Sequence, residues 1–593
     1  MIRPNRIVRR AAVLALLMGA GSSSHAAYSD RLLDLFDPTR LAAGSCNGSS
    51  GRTGLSASLG AATAATPPLG QANARMPLYP DLDKGTLRPT TSNEMALRYF
   101  RQGLTLAYSF NHAGAVRSFR EAQRLDPGCA MCFWGEALVL GPNINAAMDE
   151  RDVATALAAL DRAKALASGT SPVEQALIGA LAQRYSRSPD ADRAALDGNY
   201  ADAMTRVAEA FPDSDEVAVL TAEAVMDTTP WNYWMPDKVT PVGRSMTAVR
   251  LLEKVMARSP DNPQAAHLYI HMMENSRDPR LAEAAADRLA NTGLRNAGHL
   301  IHMPAHIYIN VGRQVDSMRV NLAAARADEA FIRESNDQSL FRYGYYPHNI
   351  HFIVMSAQLS GDMATAIREA RRLRGALDPA TSQRIAWIQV IDAAPFMAAA
   401  QFAEPSLVLA MTEPDARLPY PRAIRHYARA LARAQQGNDR AFESEIAAMN
   451  QLQGHDGIAA MVAQGVPAPD LLKMAEHVAR GKRHYLRGQY AEAISEYRKA
   501  VTIEATIPYQ EPPYWYFPVR QSLGAALLAA GQKEAARDAF RGALIQAPHN
   551  GWALFGLAQA EASLGNRLEA AAARRSLTKA WLGDPRWLRL DRL

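Results

Sequence analysis

Cysteine is scarce: three residues in a chain of 593, too few to staple a fold of this size. Long apolar runs are missing as well. The run at Ala11–Ala20 is only about half of what a bilayer-spanning helix needs. No later stretch approaches membrane length, and no cysteine follows that run to carry a lipid. Charge of one sign is not concentrated anywhere; 65 Lys and Arg face 59 Asp and Glu, a net of +6. No basic block and no interleaving of basic with aromatic residues occurs, which argues against nucleic acid as a partner. No Gly-rich phosphate loop, Gly-x-Ser-x-Gly elbow or His-Glu-x-x-His helix stands out.

What is present is alanine-rich and helix-prone. Hydrophobic residues make up 48% and charged residues 21%, as in a globular chain. A single core cannot serve 593 residues, so several domains or a repeat array are expected. Residues 1–26 read as an export signal: Arg3, Arg6, Arg9 and Arg10, then the apolar run, then the small-residue site Ser24-His25-Ala26. The Arg9-Arg10 pair leaves the twin-arginine and general routes both open. An exported protein is expected, periplasmic in a cell with two membranes. Without the four signal arginines the net charge falls from +6 to +2. Residues 27–91, rich in Gly, Ser, Ala, Thr and Pro from 40 onward, predict a flexible leader.

From about residue 92 the pattern turns helical. "FNHAGAVRSFREAQRLDP" (Phe110–Pro127), "GQYAEAISEYRKAVTIEA" (Gly488–Ala505), "GQKEAARDAFRGALIQAP" (Gly531–Pro548) and "GNRLEAAAARRSLTKAW" (Gly565–Trp581) share a turn, two spaced alanines and a bulky residue between them. This resembles the second helix of the tetratricopeptide repeat, whose period is about 34 residues. The resemblance implies an all-α solenoid, a right-handed superhelix of helix–turn–helix units with ligands on its concave face. The reading divides the chain into 92–375, a repeat region with long insertions; 376–469, irregular and helical; and 470–593, the most regular repeats. The insertions Asp227–Pro241 and Glu334–Pro347 are aromatic, and "YQEPPYWYFPVR" (Tyr509–Arg520) is expected to be an inter-repeat segment, with a lid as the weaker idea.

Histidine is where the sequence departs from a plain repeat. The chain has 14, so a window of 85 residues should hold about two by composition. Residues 267–351 hold seven: His267, His271, His299, His302, His306, His348 and His351. Counting back from the turn positions Arg277, Gly312 and Gly361 gives equivalent places in three successive first helices. Ten back are His267, His302 and His351; six back are His271, His306 and Met355; thirteen back, in the last two repeats, are His299 and His348. His267 and His302 are 35 residues apart, as are His271 and His306. Residues at i, i+3 and i+7 share a helix face. His299, His302 and His306 meet that rule if the helix already covers His299, although Pro304 suits a first turn and would then leave His299 on the incoming loop. His267, His271 and Glu274 also share a face. Imidazoles stacked in this way suit zinc or copper, which take three or four N, O or S ligands. Met272, Met303 and Met355 nearby tilt the reading slightly to copper. Glu274 is expected as a ligand or general base.

His112, His426, His455, His477, His484 and His549 read as ordinary structural histidines. Cys129 and Cys132, in "GCAMCFWG", are a local disulfide or a pair of soft ligands, and Phe133 excludes c-type haem attachment. Cys46 stands alone. "FNHAGAVRSFREAQRLDPGCAMCFWGEALVLGPNIN", "GHLIHMPAHIYINVGR" and "YYPHNIHF" together resemble a group of exported bacterial tetratricopeptide proteins, over about 110–361. That resemblance implies architecture and brings no reaction with it. Two functions remain: a metalloprotein holding copper or zinc in its groove, with metal-dependent chemistry on a small molecule as an extension, or a scaffold gripping a peptide or protein.

Overall fold

The computed structural model describes Leu69, residues 75–83 and residues 85–593. The expected signal at 1–26, most of the expected leader and Cys46 lie outside the described residues. Among the described residues the chain is all α, with helices from Glu94–Tyr108 to Arg567–Ala580, no strand, and two isolated bridges at Asn143–Ala146 and Trp234–Pro241. Consecutive helices pack as hairpins: Glu94–Tyr108 on His112–Leu125, Pro419–Gln435 on Asp439–Leu452, Ala468–Leu486 on Tyr490–Glu504, and Val519–Ala529 on Lys533–Gln546. This is the tetratricopeptide-like solenoid that the repeat pattern predicts.

The spaced small residues and the aromatic between them have a direct packing role. Phe540 sits where a Cβ on Gly524 would lie 2.8 Å from its ring, and Gly556 of the next repeat meets the same ring. Phe119 does the same between Gly103 and Gly135, and Tyr497 over Gly481. Each ring is fully buried, which stabilises by roughly 1.5–3 kcal/mol apiece. The glycines let neighbouring helices approach closely enough to enclose the ring. The turn at Gly361 needs glycine twice over: φ is +73°, and the Trp581 ring fills the space a Cβ would take.

The array curls back on itself. The Trp552 indole N–H donates to the Gln358 carbonyl at 2.8 Å, the Leu582 N–H to the Ser360 carbonyl at 2.9 Å, and the Tyr516 hydroxyl to Gln358 Oε1 at 2.9 Å. The C-terminal repeats are thereby docked on the helix Tyr346–Ser360, and residues 505–518 run across the first helices of the histidine-bearing repeats.

One boundary differs from expectation. Residues 75–91, read as part of a flexible leader, are packed: Met76, Tyr79 and Leu82 are buried, and Tyr79 stacks on Phe331 at 5.4 Å. Asp81 accepts from the backbone N–H groups of Arg295 (2.7 Å) and Asn296 (3.0 Å). The apolar residues in 76–87 supply the burial that a Gly/Ser tract lacks. The segment thus pins the entry to the helix that carries His299. Residues 376–469, read as irregular, include the regular hairpin 419–452 beside the Pro395-containing helix Ala386–Phe402.

Candidate metal centre

Three helical segments bring the histidines together. Asn262 caps the helix Pro263–Met273 through its side chain on the Ala265 N–H, and Pro263 sets the first turn, so His267 and His271 follow one turn apart. Gly298–His302 runs through Met303 directly into Pro304–Asn310. Pro304 removes a donor and interrupts the helix there, yet His299 is already helical, and the i, i+3, i+7 face is made. Tyr346–Ser360 carries His348 and His351. His267, His271, His299, His302 and His306 are at most 2% exposed.

Two triads result. One ring nitrogen from each of His267, His271 and His299 converges within 4.8 Å, and so does one from each of His302, His306 and His348. The Nε2 atoms of His267 and His299 are 3.2 Å apart, those of His302 and His348 3.2 Å, and those of His302 and His306 2.7 Å. In a tetrahedral shell with bonds of about 2.0 Å, two ligand nitrogens lie about 3.3 Å apart.

The outer ring nitrogens explain why the inner ones face one another. His267 Nδ1 lies 3.0 Å from Gln264 Oε1, and the Gln264 amide N–H donates to Glu223, which fixes the oxygen toward the ring. His302 Nδ1 lies 2.6 Å from Asn321 Oδ1, whose own N–H donates to the Ser317 carbonyl. His271 Nδ1 donates to Glu274 Oε1 at 2.8 Å. His306 Nδ1 faces Glu274 Oε2 at 2.6 Å and is also paired with Glu511. Gln264, Glu274 and Asn321 thereby keep the proton of His267, His271 and His302 on Nδ1 and turn an Nε2 lone pair inward, while Glu274 and Glu511 fix the His306 ring. This is how metal-ligating histidines are held.

Electrostatics agree. Burial, then the neighbouring imidazoles, hold His267, His299, His302 and His348 well below the usual histidine range; burial and His306 do the same for His271. These rings are neutral and able to ligate. His306 is the exception: burial lowers it, but Glu511 and Glu274 outweigh burial and push it up to about 10. With no ion present, His306 carries the positive charge of the cluster.

Aromatic rings shut both triads. Phe110 lies 4.7 Å from His267 and 5.0 Å from His299; Phe352 lies 4.8–5.0 Å from all three rings of the second triad. Trp231 meets His271 edge-on at 5.2 Å, and Tyr345 meets His299 at 5.2 Å. Phe110 (φ 51°) and Trp231 (φ 61°) are bulky residues in the left-handed region, at a cost on the order of 1–3 kcal/mol each. Such strain clusters where a site must be shaped, and both rings abut the first triad.

The expected residues sort as follows. Six of the seven ladder histidines form the triads. His351 does not: it is buried against Tyr516 at 5.6 Å, with both ring nitrogens unpartnered, and burial lowers it to about 3. The position that pairs with it is Met355, and the following helix Ala386–Phe402 carries no histidine, so a third triad cannot form. Glu274 sits behind the rings, on Nδ1 of His271 and His306. Asn349 turns from the histidines and donates to Asp328 at 2.7 Å. Cys129 and Cys132 are joined in a disulfide at the start of Ala130–Leu140. The other described histidines have partners outside the cluster, such as Glu445 for His426 and Glu496 for His477, both at 2.7 Å. The sequence reading missed Glu511, Gln264, Asn321, Phe110 and Phe352. Asn310 joins the site to a neighbouring cavity of about 200 Å³: it reaches Glu511 Oε1 at 3.3 Å and lines the cavity with Gln314, Met355, Tyr509 and Trp515.

No family model matches the chain, and comparison with curated proteins finds no relative. Among solved structures it is similar to the human IFIT1 dimer with m7Gppp-AAAA, at 12% identity over 83% of this chain and 96% of that one, TM-score 0.30. It is also similar to yeast Tom70, at 10% identity over 84% and 95%, TM-score 0.25, and to the P58(IPK) TPR domain, at 12% over 74% and 99%, TM-score 0.21. Likenesses this distant say nothing about the site. By its own geometry the chain is an all-α, tetratricopeptide-like repeat protein with a cluster of six histidines, five of them buried.

Proposed function

We propose that this repeat protein binds a transition metal, zinc or copper, through the histidine cluster of residues 267–348. The observation that carries the reading is the set of Nδ1 partners. Gln264, Glu274, Asn321 and Glu511 hold four rings so that their Nε2 atoms converge with those of the neighbouring histidines, the orientation in which outer partners hold metal-ligating rings. All six ligand candidates are imidazoles, which suit both ions. Three histidines leave a fourth coordination position for water or a small molecule. A cavity opens beside Asn310, on the Nδ1 side of His306, and metal-dependent chemistry on a small substrate is the enzymatic extension of this reading. The reading of residues 1–26 as an export signal supports an exported compartment.

The test is metal content of full-length protein produced without a histidine tag, measured by plasma mass spectrometry beside His302→Ala/His306→Ala and the control His426→Ala/His477→Ala. The reading expects tightly held zinc or copper in the parent and the control, and a clear loss in the first variant. No retained metal in the parent, even after incubation with each ion, would sink it and leave the scaffold reading.

A further inference from the structure

Resting on that reading, we infer that the cluster holds two ions per chain, one in each triad. Six histidines exceed the three or four ligands that one zinc or copper ion takes. They do not pool at one point: the two convergent sets are His267, His271 and His299, and His302, His306 and His348.

The second set is the first set moved along by one repeat. His267 and His271 share one helix, and the third ring, His299, comes from the next repeat. His302 and His306 lie on the consecutive segments Gly298–His302 and Pro304–Asn310, and the third ring, His348, comes from the repeat after them. The internal spacing repeats as well. His267 is central in the first triad, 4.9 Å from His271 and 5.0 Å from His299, with the outer pair 6.1 Å apart. His302 is central in the second, 4.7 Å from His306 and 4.9 Å from His348, with the outer pair 5.9 Å apart. A solenoid that stacks equivalent helices side by side copies a ligand set when it copies the residues.

The two sites have separate walls and lie side by side, with His271 5.8 Å from His306 and His299 5.9 Å from His302. Phe110 covers only the first triad and Phe352 only the second. Glu274 joins them, with Oε1 on His271 Nδ1 at 2.8 Å and Oε2 facing His306 Nδ1 at 2.6 Å. One carboxylate thus orients a ligand of each ion, which makes Glu274 a positioning residue for both.

The experiment loads full-length, tag-free protein with zinc, and separately with copper(I) under anaerobic conditions, removes free ion, and counts bound ion per chain. The preferred ion is expected at two per chain. His267→Ala/His299→Ala and His302→Ala/His348→Ala are each expected to keep one, and the fourfold variant none. Where a double variant loses its helical circular dichroism, His299→Gln and His348→Gln take its place. Glu274→Gln is expected to weaken both ions together, by about 10–100-fold in a chelator competition. One ion in the parent, lost in either double variant, would overturn the two-site inference and leave the metal reading standing. None in the parent would remove the metal reading itself.

Discussion

Glu511 follows His306 by 205 residues, and its carboxylate pairs with the ring Nδ1 of that histidine. The segment that carries it, 505–518, belongs to the C-terminal repeats, so the curl of the solenoid supplies part of the N-terminal site. The contact defines a first expectation. Glu511→Ala should fold normally and lower metal affinity by about 10–100-fold, as loss of an outer partner does. Chelator competition reads it, and an unchanged affinity would show that the segment is only structural.

Asn321 orients His302 alone. Asn321→Leu should leave the His302 ring free to turn and should weaken the second triad, again by about 10-fold or more. Cobalt(II) absorption spectra, titrated ion by ion, separate a weakened site from an intact one. Equal affinity in parent and variant would count against the outer-partner argument.

Gly298 precedes His299 and sets the seat of its helix. A Cβ there would run into the carboxyl group of buried Asp328. Gly298→Ala should push the segment Gly298–His302 off its seat, displace His299 and His302, and cost both metal and stability. Thermal unfolding and metal content should fall together. A variant that keeps both would show that Asp328 swings aside at little cost.

Asp328 also sets a pH dependence of stability. Burial pushes its carboxyl group from the ordinary 3.8 up to about 8. Between those values the folded chain holds a proton that the unfolded chain has released. The contribution to stability is therefore complete below about pH 4 and falls as pH rises toward 8, by up to a few kcal/mol. Asp328→Asn stays neutral throughout, so its stability relative to the parent should rise between pH 5 and pH 8 in denaturant unfolding. A constant difference would place the Asp328 charge in water.

Phe540 tests the packing account. Phe540→Ala removes a ring enclosed by Gly524 and Gly556 and should cost about 3–5 kcal/mol in the C-terminal repeats. Because residues 505–518 precede this hairpin, the same variant should loosen Glu511 and weaken metal binding. Hydrogen exchange resolved along the chain reads both effects.

The repeat register was legible because its signals are local: a turn residue, spaced alanines and one aromatic within about 20 residues, as in Gly531–Pro548. The six clustered histidines were legible for the same reason: His267 and His302, and His271 and His306, are 35 residues apart, and His299 and His348 stand at the same distance before their turn glycines. His351 occupies a ladder position without joining a triad, because membership depends on what the next helix contributes. Glu511 was out of reach: its partner lies 205 residues away, and only the closing curl of the superhelix joins them. Asn321 and Gln264 are ordinary polar residues until the rings beside them are known. The packed segment 75–91 was hidden by the composition of the stretch before it, which outweighed Met76, Tyr79 and Leu82.

The most direct measurement is anomalous X-ray scattering from crystals of the full-length, tag-free protein, collected on both sides of the zinc and copper absorption edges. The account predicts ion density at the meeting point of Nε2 of His267, His271 and His299, and again at that of His302, His306 and His348. Crystals soaked in each ion with no density at either point would contradict it. So would a single ion held only on the other side of His306, by its Nδ1 with Glu274 and Glu511.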